Sequence, residues 1–268
     1  MQKISRRFHA DAVKSVMYPL LFGVLLFTLW QTQILHKLLN TDTYILPLPT
    51  RIVRIIGENS DKIMTNVNAS LVVILSGLIA GSLFGYLIAM FATVFQNFGK
   101  GALTIISAFN AIPIVALAPV IMNWTKDVSK DAEVRSTVAK AIVVALVCTA
   151  SMSINAYRGL TELKPFSLDL MKSYAAKQTT VFSKLRFQNS VPYVFTALRV
   201  SVPASVIGGL VSEYFAEYRI GVGRQIRENI LIAQYATAWA YIAVACLIGI
   251  GIFVILMCAE SIVMRKRR

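Results

Sequence analysis

The sequence predicts an all-α polytopic membrane protein with six transmembrane helices. Three observations carry that expectation. Apolar residues come in long charge-free blocks, charge is scarce for a soluble domain, and the cations gather in alternate connections. Of 268 residues, 56% are hydrophobic and 15% charged, against about 25% charged in an ordinary soluble domain. Residues 16–35, 67–95, 101–125, 141–157, 200–212 and 236–259 contain no charge. A bilayer core of about 30 Å takes about 20 apolar residues of helix. The expected spans are therefore 16–35, 67–94, 102–124, 137–157, 192–215 and 237–263. A large soluble helical core is excluded, because helices of this length need a polar face and the second and third spans show none.

The first span follows basic residues, as a secretory signal would. Its apolar run is too long for a signal core, and no small-residue cleavage site follows. It is read as a retained helix. Six spans put both termini on one side. The termini with 95–101 and 158–190 hold fifteen cations and three acids, and the opposite loops hold ten and eight. Lys and Arg accumulate on the cytoplasmic side, so both termini are expected there. The formal net charge of +14 is then explained by topology and lipid headgroups, with no nucleic acid as partner.

No internal repeat or soluble domain is visible, so 1–268 is read as one transmembrane domain. Residues 1–15 form an inner segment, 36–66 an outer surface segment and 158–190 the long inner loop. In the outer segment, "YILPLPTRIVRIIGENSDKI" combines an extended proline entry with apolar positions Ile52, Ile55, Ile56 and Ile63. That spacing suits a surface helix, with Thr50 as its N-cap. Cys148, Cys246 and Cys258 lack pairing or metal spacing and read as small buried apolar residues. The two histidines, His9 and His36, cannot build a catalytic or metal cluster.

The inner loop contains "YAAKQTTVFSKLRFQNSVP" at 174–192. Met171, Tyr174, Ala175, Gln178, Phe182 and Leu185 fall within about 100° on a helical wheel. Lys177 and Lys184 point elsewhere, as a solvated or lipid-facing edge. Thr179 and Thr180 are β-branched and weaken a helix there, so helix, turn, helix is the simplest reading. The apolar edge suits either lipid or a groove in a partner protein.

This stretch resembles the cytoplasmic-loop signature of the permease subunits of binding-protein-dependent ABC transporters. The signature is Glu-Ala-Ala, two residues, Gly, nine residues, Ile, one residue, Leu-Pro. Ala175, Ala176 and Pro192 match, while Tyr174, Thr179, Asn189 and Val191 stand for Glu, Gly, Ile and Leu. Other segments resemble the nitrate/sulfonate/taurine-type branch of that family. They are "YILPLPTRIV", "NASLVVILSGLIAGSLFGYLIA" with Gly77, Gly81 and Gly85, "NAIPIVALAPVIMNW", and "SVPYVFTALRVSVPASVIGGLVSEYFAEYRIGVGRQI". Trp124 is kept where that branch continues Phe-Gly, but Thr125-Lys126 follow here. The resemblance covers about four-fifths of the chain.

The resemblance implies a permease subunit of an ABC importer in a bacterial cytoplasmic (inner) membrane. Its inner loop would be a coupling helix seated on a dimer of ATPase subunits. Tyr174, Ala175, Ala176, Thr179, Phe182 and Leu185 are the expected contacts. A second permease subunit, a homodimer being expected and a heterodimer open, would complete the substrate path. An extracytoplasmic binding protein would deliver a small polar solute. No Gly-x-x-x-x-Gly-Lys-Ser/Thr loop occurs, so the chain itself has no cofactor, and ATP-Mg would sit on the partner.

Polar groups and prolines within spans are costly unless they face protein or water. Asn110, Pro113, Asn123, Trp124 and Glu213 are therefore the substrate-path candidates. Helix–helix hydrogen bonding and a structural Glu near the interface are the competing readings. Arg199 either attracts an anion at the inner mouth or snorkels to headgroups, and Glu260 should pair with a nearby cation. Branch resemblance suggests sulfonates, taurine or nitrate as cargo. Related members carry thiamine-precursor pyrimidines and vitamins, so an uncharged heterocycle stays open. A membrane enzyme lacks the clustered acids or histidines it would need. A self-contained secondary transporter or channel, often marked by repeats or mid-span charges, is the remaining alternative.

Overall fold

Helices form because a backbone in lipid must satisfy its own hydrogen bonds. The computed structural model of the chain describes residues 2–109, 112–216, 218 and 220–265, with backbone alone at 2–16, 96–98, 100 and 109. Among these residues there is no strand. The helices are α1 (Gln2–Gln31), α2 (Ile34–Leu38), α3 (Pro49–Glu58), α4 (Ser60–Val94), α5 (Gln96–Phe109) and α6 (Ile114–Trp124). They continue with α7 (Ala132–Thr161), α8 (Ser167–Ser173), α9 (Gln178–Thr180), α10 (Phe187–Phe215), α11 (Val222–Leu231) and α12 (Tyr235–Arg265). A π-helical turn, Val181–Arg186, joins α9 to α10. The chain is an all-α polytopic membrane protein. Four stretches, Ser60–Val94, Ala132–Thr161, Gln178–Phe215 and Tyr235–Arg265, are each long and apolar enough to cross a bilayer, and Met17–Gln31 and Ile114–Trp124 are shorter apolar helices.

Four boundaries differ from those expected. The third span is two helices: Pro113 sits extended at φ −62°, ψ 126° ahead of α6, where its missing N–H costs nothing. The first helix begins at Gln2, so the inner segment continues the span. The inner loop narrows to Glu162–Lys177, because α7 runs on to Thr161 and the helix containing α10 already starts at Gln178. The break within it falls at 174–177 rather than at Thr179-Thr180. Finally, α3 is capped at Leu48 with Pro49 in its first turn. Thr50 instead donates its amide to Gln31 Oε1 (3.3 Å) and its hydroxyl accepts from Gln31 Nε2 (3.2 Å).

Two compact units divide the chain. One comprises residues 1–60 and 228–240. In it Trp30 meets Trp239 edge-on at 5.7 Å. Trp239 Nε1 donates to Ile45 O (2.9 Å), and the Tyr44 hydroxyl donates to Ala233 O (2.8 Å). His36 is buried with Nε2 2.6 Å from Leu46 O, a structural histidine.

The other unit, 61–227 and 241–268, holds the main core. Val73 and Leu78 of α4 pack with Val144 and Cys148 of α7 and Val202 of α10. Farther along, Ala89, Met152, Ala156, Leu160 and Ala197 form a second cluster. Gly77, Gly81 and Gly85 lie on one face of α4 against α7. A Cβ on Gly81 would strike the Ala145 backbone, and one on Gly77 would come within 2.5 Å of Val144 Cβ. The close approach lets the Thr149 hydroxyl donate across to Gly81 O (3.1 Å). Cys148 is buried, but Cys246 and Cys258 are exposed. Leu83, Phe84, Leu87, Ile250 and Ile255 are exposed as well, the surface that lipid covers in a membrane protein.

Candidate functional site

The inner loop is built from its caps outward. Where α8 ends, Ala175 is left-handed at φ 49°. Its amide donates to Lys172 O (2.8 Å) and the Ala176 amide donates to Met171 O (3.0 Å). This bond pair is a Schellman closure. The paired alanines thus form the turn that reverses the chain after α8. Lys177 is extended and opens α9.

At its base the loop is clamped. The Arg186 guanidinium donates to Leu160 O (2.7 Å), and Asn189 Nδ2 donates to Gly159 O (2.8 Å) and Glu162 O (3.0 Å). These are the carbonyls that the end of a helix leaves without partners. Tyr193 adds a bond from its hydroxyl to Glu162 Oε2 (3.3 Å). The end of α7 and the start of α10 are therefore tied at the point from which the loop projects.

The exposed edge of the loop is Phe166 (83%), Leu170 (58%) and Tyr174 (77%). Leu170 lies on α8, and Phe166 and Tyr174 flank the helix at its two ends. Of the residues expected there, Tyr174, Ala175 and Thr179 are exposed and Ala176 is half-buried. Phe182 and Leu185 are half-buried too, and Phe182 packs on the cluster around Met152 and Leu160. The expected wheel assumed one helix through 171–185. The turn at 174–177 breaks that periodicity and brings Phe166 and Leu170 onto the edge instead.

Of the substrate-path candidates, Glu213 lies toward the other end of α10, and Pro113, Asn123 and Trp124 lie on or beside α6. One face of α6 packs Ala118 and Ile121 against Val143 of α7. The other face is open: Val115, Pro119, Val120, Asn123 and Trp124 are exposed, Trp124 at 75%. Pro119 has no N–H to give the Val115 carbonyl. Pro113 is exposed at the start of the helix, and Asn110 lies outside the described residues. A cavity of about 320 Å3 opens beside Val115, Leu210, Tyr214, Phe215, Gly223 and Ile226.

Glu213 is fully buried. Its Oε2 accepts from the Gly223 amide (2.7 Å), and its Oε1 has no partner. The Gly221 amide donates to Asn66 Oδ1 and the Val222 amide to Ser70 Oγ, both at 2.9 Å. Lys140, also buried, reaches Ile220 O at 3.5 Å. Asn66, Ser70 and Lys140 were not singled out in the sequence; the spacing of Asn66 and Ser70, four apart at the start of an apolar stretch of α4, was the available signal. Near the middle of α10, Arg199 forms a two-point ion pair with Glu260 (2.9 and 2.7 Å). That engages the guanidinium and meets the expectation for Glu260. Among the described residues no cluster of potential metal ligands exists.

Comparison with known proteins bears on these features together. The family model described as "Binding-protein-dependent transport system inner membrane component" matches residues 77–268. The formylaminopyrimidine transport permease protein ThiX of Halalkalibacterium halodurans is 26% identical over 251 residues, 93% of this chain and 96% of that protein. A probable ABC transporter permease protein of Haemophilus influenzae is 24% identical, covering 73% and 76%. The riboflavin transport system permease protein RibX of Chloroflexus aurantiacus is 23% identical, covering 60% and 57%.

Proposed function

The chain belongs to the binding-protein-dependent transport system inner membrane component family, and from that premise we propose that it is the solute-conducting subunit of an importer for a small uncharged nitrogen heterocycle. It is a membrane permease of an ABC transporter, not an enzyme; ATP hydrolysis lies in a partner subunit, and a binding protein supplies solute. The narrower cargo rests on the relatives named for a formylaminopyrimidine and for riboflavin. It agrees with the cavity beside α6, whose lining carries no charged side chain.

The loop at 162–177 is the docking element for the ATPase, with both termini on the same, cytoplasmic, side. The observation that carries this is the clamp of Arg186 and Asn189 on the end of α7. A loop mounted on two spans at once transmits a push to both, which is what alternating access between two states requires. The partner is a dimer of ATPase subunits holding ATP-Mg, and Phe166, Leu170 and Tyr174 supply the apolar contact. Two copies of the permease face one another across the open side of α6. A proline-freed carbonyl and Asn123 are costly against lipid but tolerated against protein or a water-filled path.

Co-expression with the cognate ATPase tests the docking. The ATPase should co-purify with the parent chain and be lost, by tenfold or more, from Tyr174→Asp. Undiminished co-purification with Tyr174→Asp and Phe166→Asp combined contradicts the docking assignment.

A further inference from the structure

Four consecutive backbone groups at the entry to α11 are each held by a side chain from a membrane-spanning helix. Ile220 O faces Lys140 of α7, the Gly221 and Val222 amides are taken by Asn66 and Ser70 of α4, and the Gly223 amide by Glu213 of α10. These amides belong to a helix N-terminus, which normally finds its partners in its own cap or in water. The bonding is reciprocal. Arg224 Nη1 donates to Ala216 O (3.0 Å) and Arg227 Nη1 to Tyr214 O (3.4 Å), and Arg227 lies over the Tyr214 ring at 5.3 Å. The end of α10 is thus capped by α11, and the start of α11 by α10 and α4.

Two glycines make the approach feasible. Gly221 adopts φ +129°, where a Cβ would lie 2.5 Å from Glu213 Cδ, and a Cβ on Gly223 would strike Leu210 O. The buried Glu213 carboxylate reaches the amide because nothing larger than hydrogen stands between them. Gly223 and Ile226 of this same turn form one wall of the cavity whose other walls are Val115, Leu210 and Tyr214.

We propose that Asn66, Ser70 and Glu213 are positioning residues of transport: they fix the first turn of α11 to α4 and α10, so that the α11 wall of the cavity moves with those spans instead of fraying open. This rests on the permease reading for the motion itself. The three side chains act through backbone amides, so what they control is the placement of Ile226 and not contact with solute.

The test reads the accessibility of that wall. In the full chain with its ATPase bound, Cys246→Ala and Cys258→Ala remove the exposed native thiols, and Ile226→Cys provides a half-buried reporter for a maleimide. Glu213→Ala should speed labelling of the reporter at least tenfold and abolish any dependence of the rate on ATP with vanadate. Glu213→Gln, which keeps a carbonyl acceptor for the Gly223 amide, should stay within about twofold of the parent. A general stabilising role would not give this Ala–Gln split at unchanged ATPase retention. Should Glu213→Ala fail to assemble, Ser70→Ala, which frees the Val222 amide, takes its place with the same direction expected. Parent-like labelling in the Ala variants, or Glu213→Gln behaving as Glu213→Ala, overturns the proposal. A parent that retains its ATPase yet shows no nucleotide response overturns the permease reading instead, while the nucleotide-free rates still decide the role of the three residues.

Discussion

Ala175 holds a left-handed conformation that costs an L-residue roughly 1–2 kcal/mol, and glycine is the usual occupant of that position in a Schellman closure. Ala175→Gly should therefore stabilise the purified chain by about 0.5–1 kcal/mol, less the extra freedom glycine gains when unfolded; thermal unfolding in detergent measures it. Asn189 makes the opposite case. It replaces the signature isoleucine and donates to two carbonyls at the end of α7. Asn189→Ile should cost about 1–3 kcal/mol by stripping those bonds, and should raise hydrogen exchange at the end of α7. The sequence showed both residues plainly. Their roles were hidden because each depends on a carbonyl elsewhere, Lys172 and Met171 for the alanines, Gly159 and Glu162 for Asn189, and no local pattern announces that closure. Glu213 is similar: its burial and its bond to Gly223 follow from two glycines eight and ten positions on.

The helices were legible as wholes because exclusion of charge over twenty or more residues is a long signal. Their ends were less so. Pro113 marked the break in the third span, yet the charge-free run continues across it; the helical stretch containing α10 begins early because 178–186 carries polar residues but is still helical, with a π turn joining it to α10. The apolar edge of the inner loop was misplaced for the same reason, since one wheel was drawn through a turn. The glycine stripe of α4 was legible as spacing, and the structure supplies its partner, α7. Gly81→Val should separate these helices, lower stability by about 1–3 kcal/mol and break the Thr149 bond across the contact. Gly101, whose Cβ would meet nothing within 4 Å, is the control: Gly101→Ala should leave unfolding unchanged or slightly later.

At the scale of the molecule, a projecting apolar edge sits at one end of α7 and α10, and a cavity and an exposed α6 face lie toward the other. The clamp of Arg186 and Asn189 ties the start of α10 to the end of α7, and Asn66, Ser70 and Glu213 tie the first turn of α11 to α4 and α10. The membrane architecture and the permease family were readable from charge blocks and spaced motifs. The cavity beside α6 was not, since its lining is drawn from three helices that only the fold brings together. The central claim is that Phe166, Leu170 and Tyr174 form the surface on which an ATPase works. Site-specific cross-linking tests it most directly: in a background lacking exposed native cysteines, Leu170→Cys and Lys184→Cys are each coupled to a short thiol-reactive photo-cross-linker in membranes containing the ATPase. Capture of the ATPase from Leu170→Cys and not from Lys184→Cys is the expected result; capture from Lys184→Cys alone, or from neither while the complex still hydrolyses ATP, contradicts it.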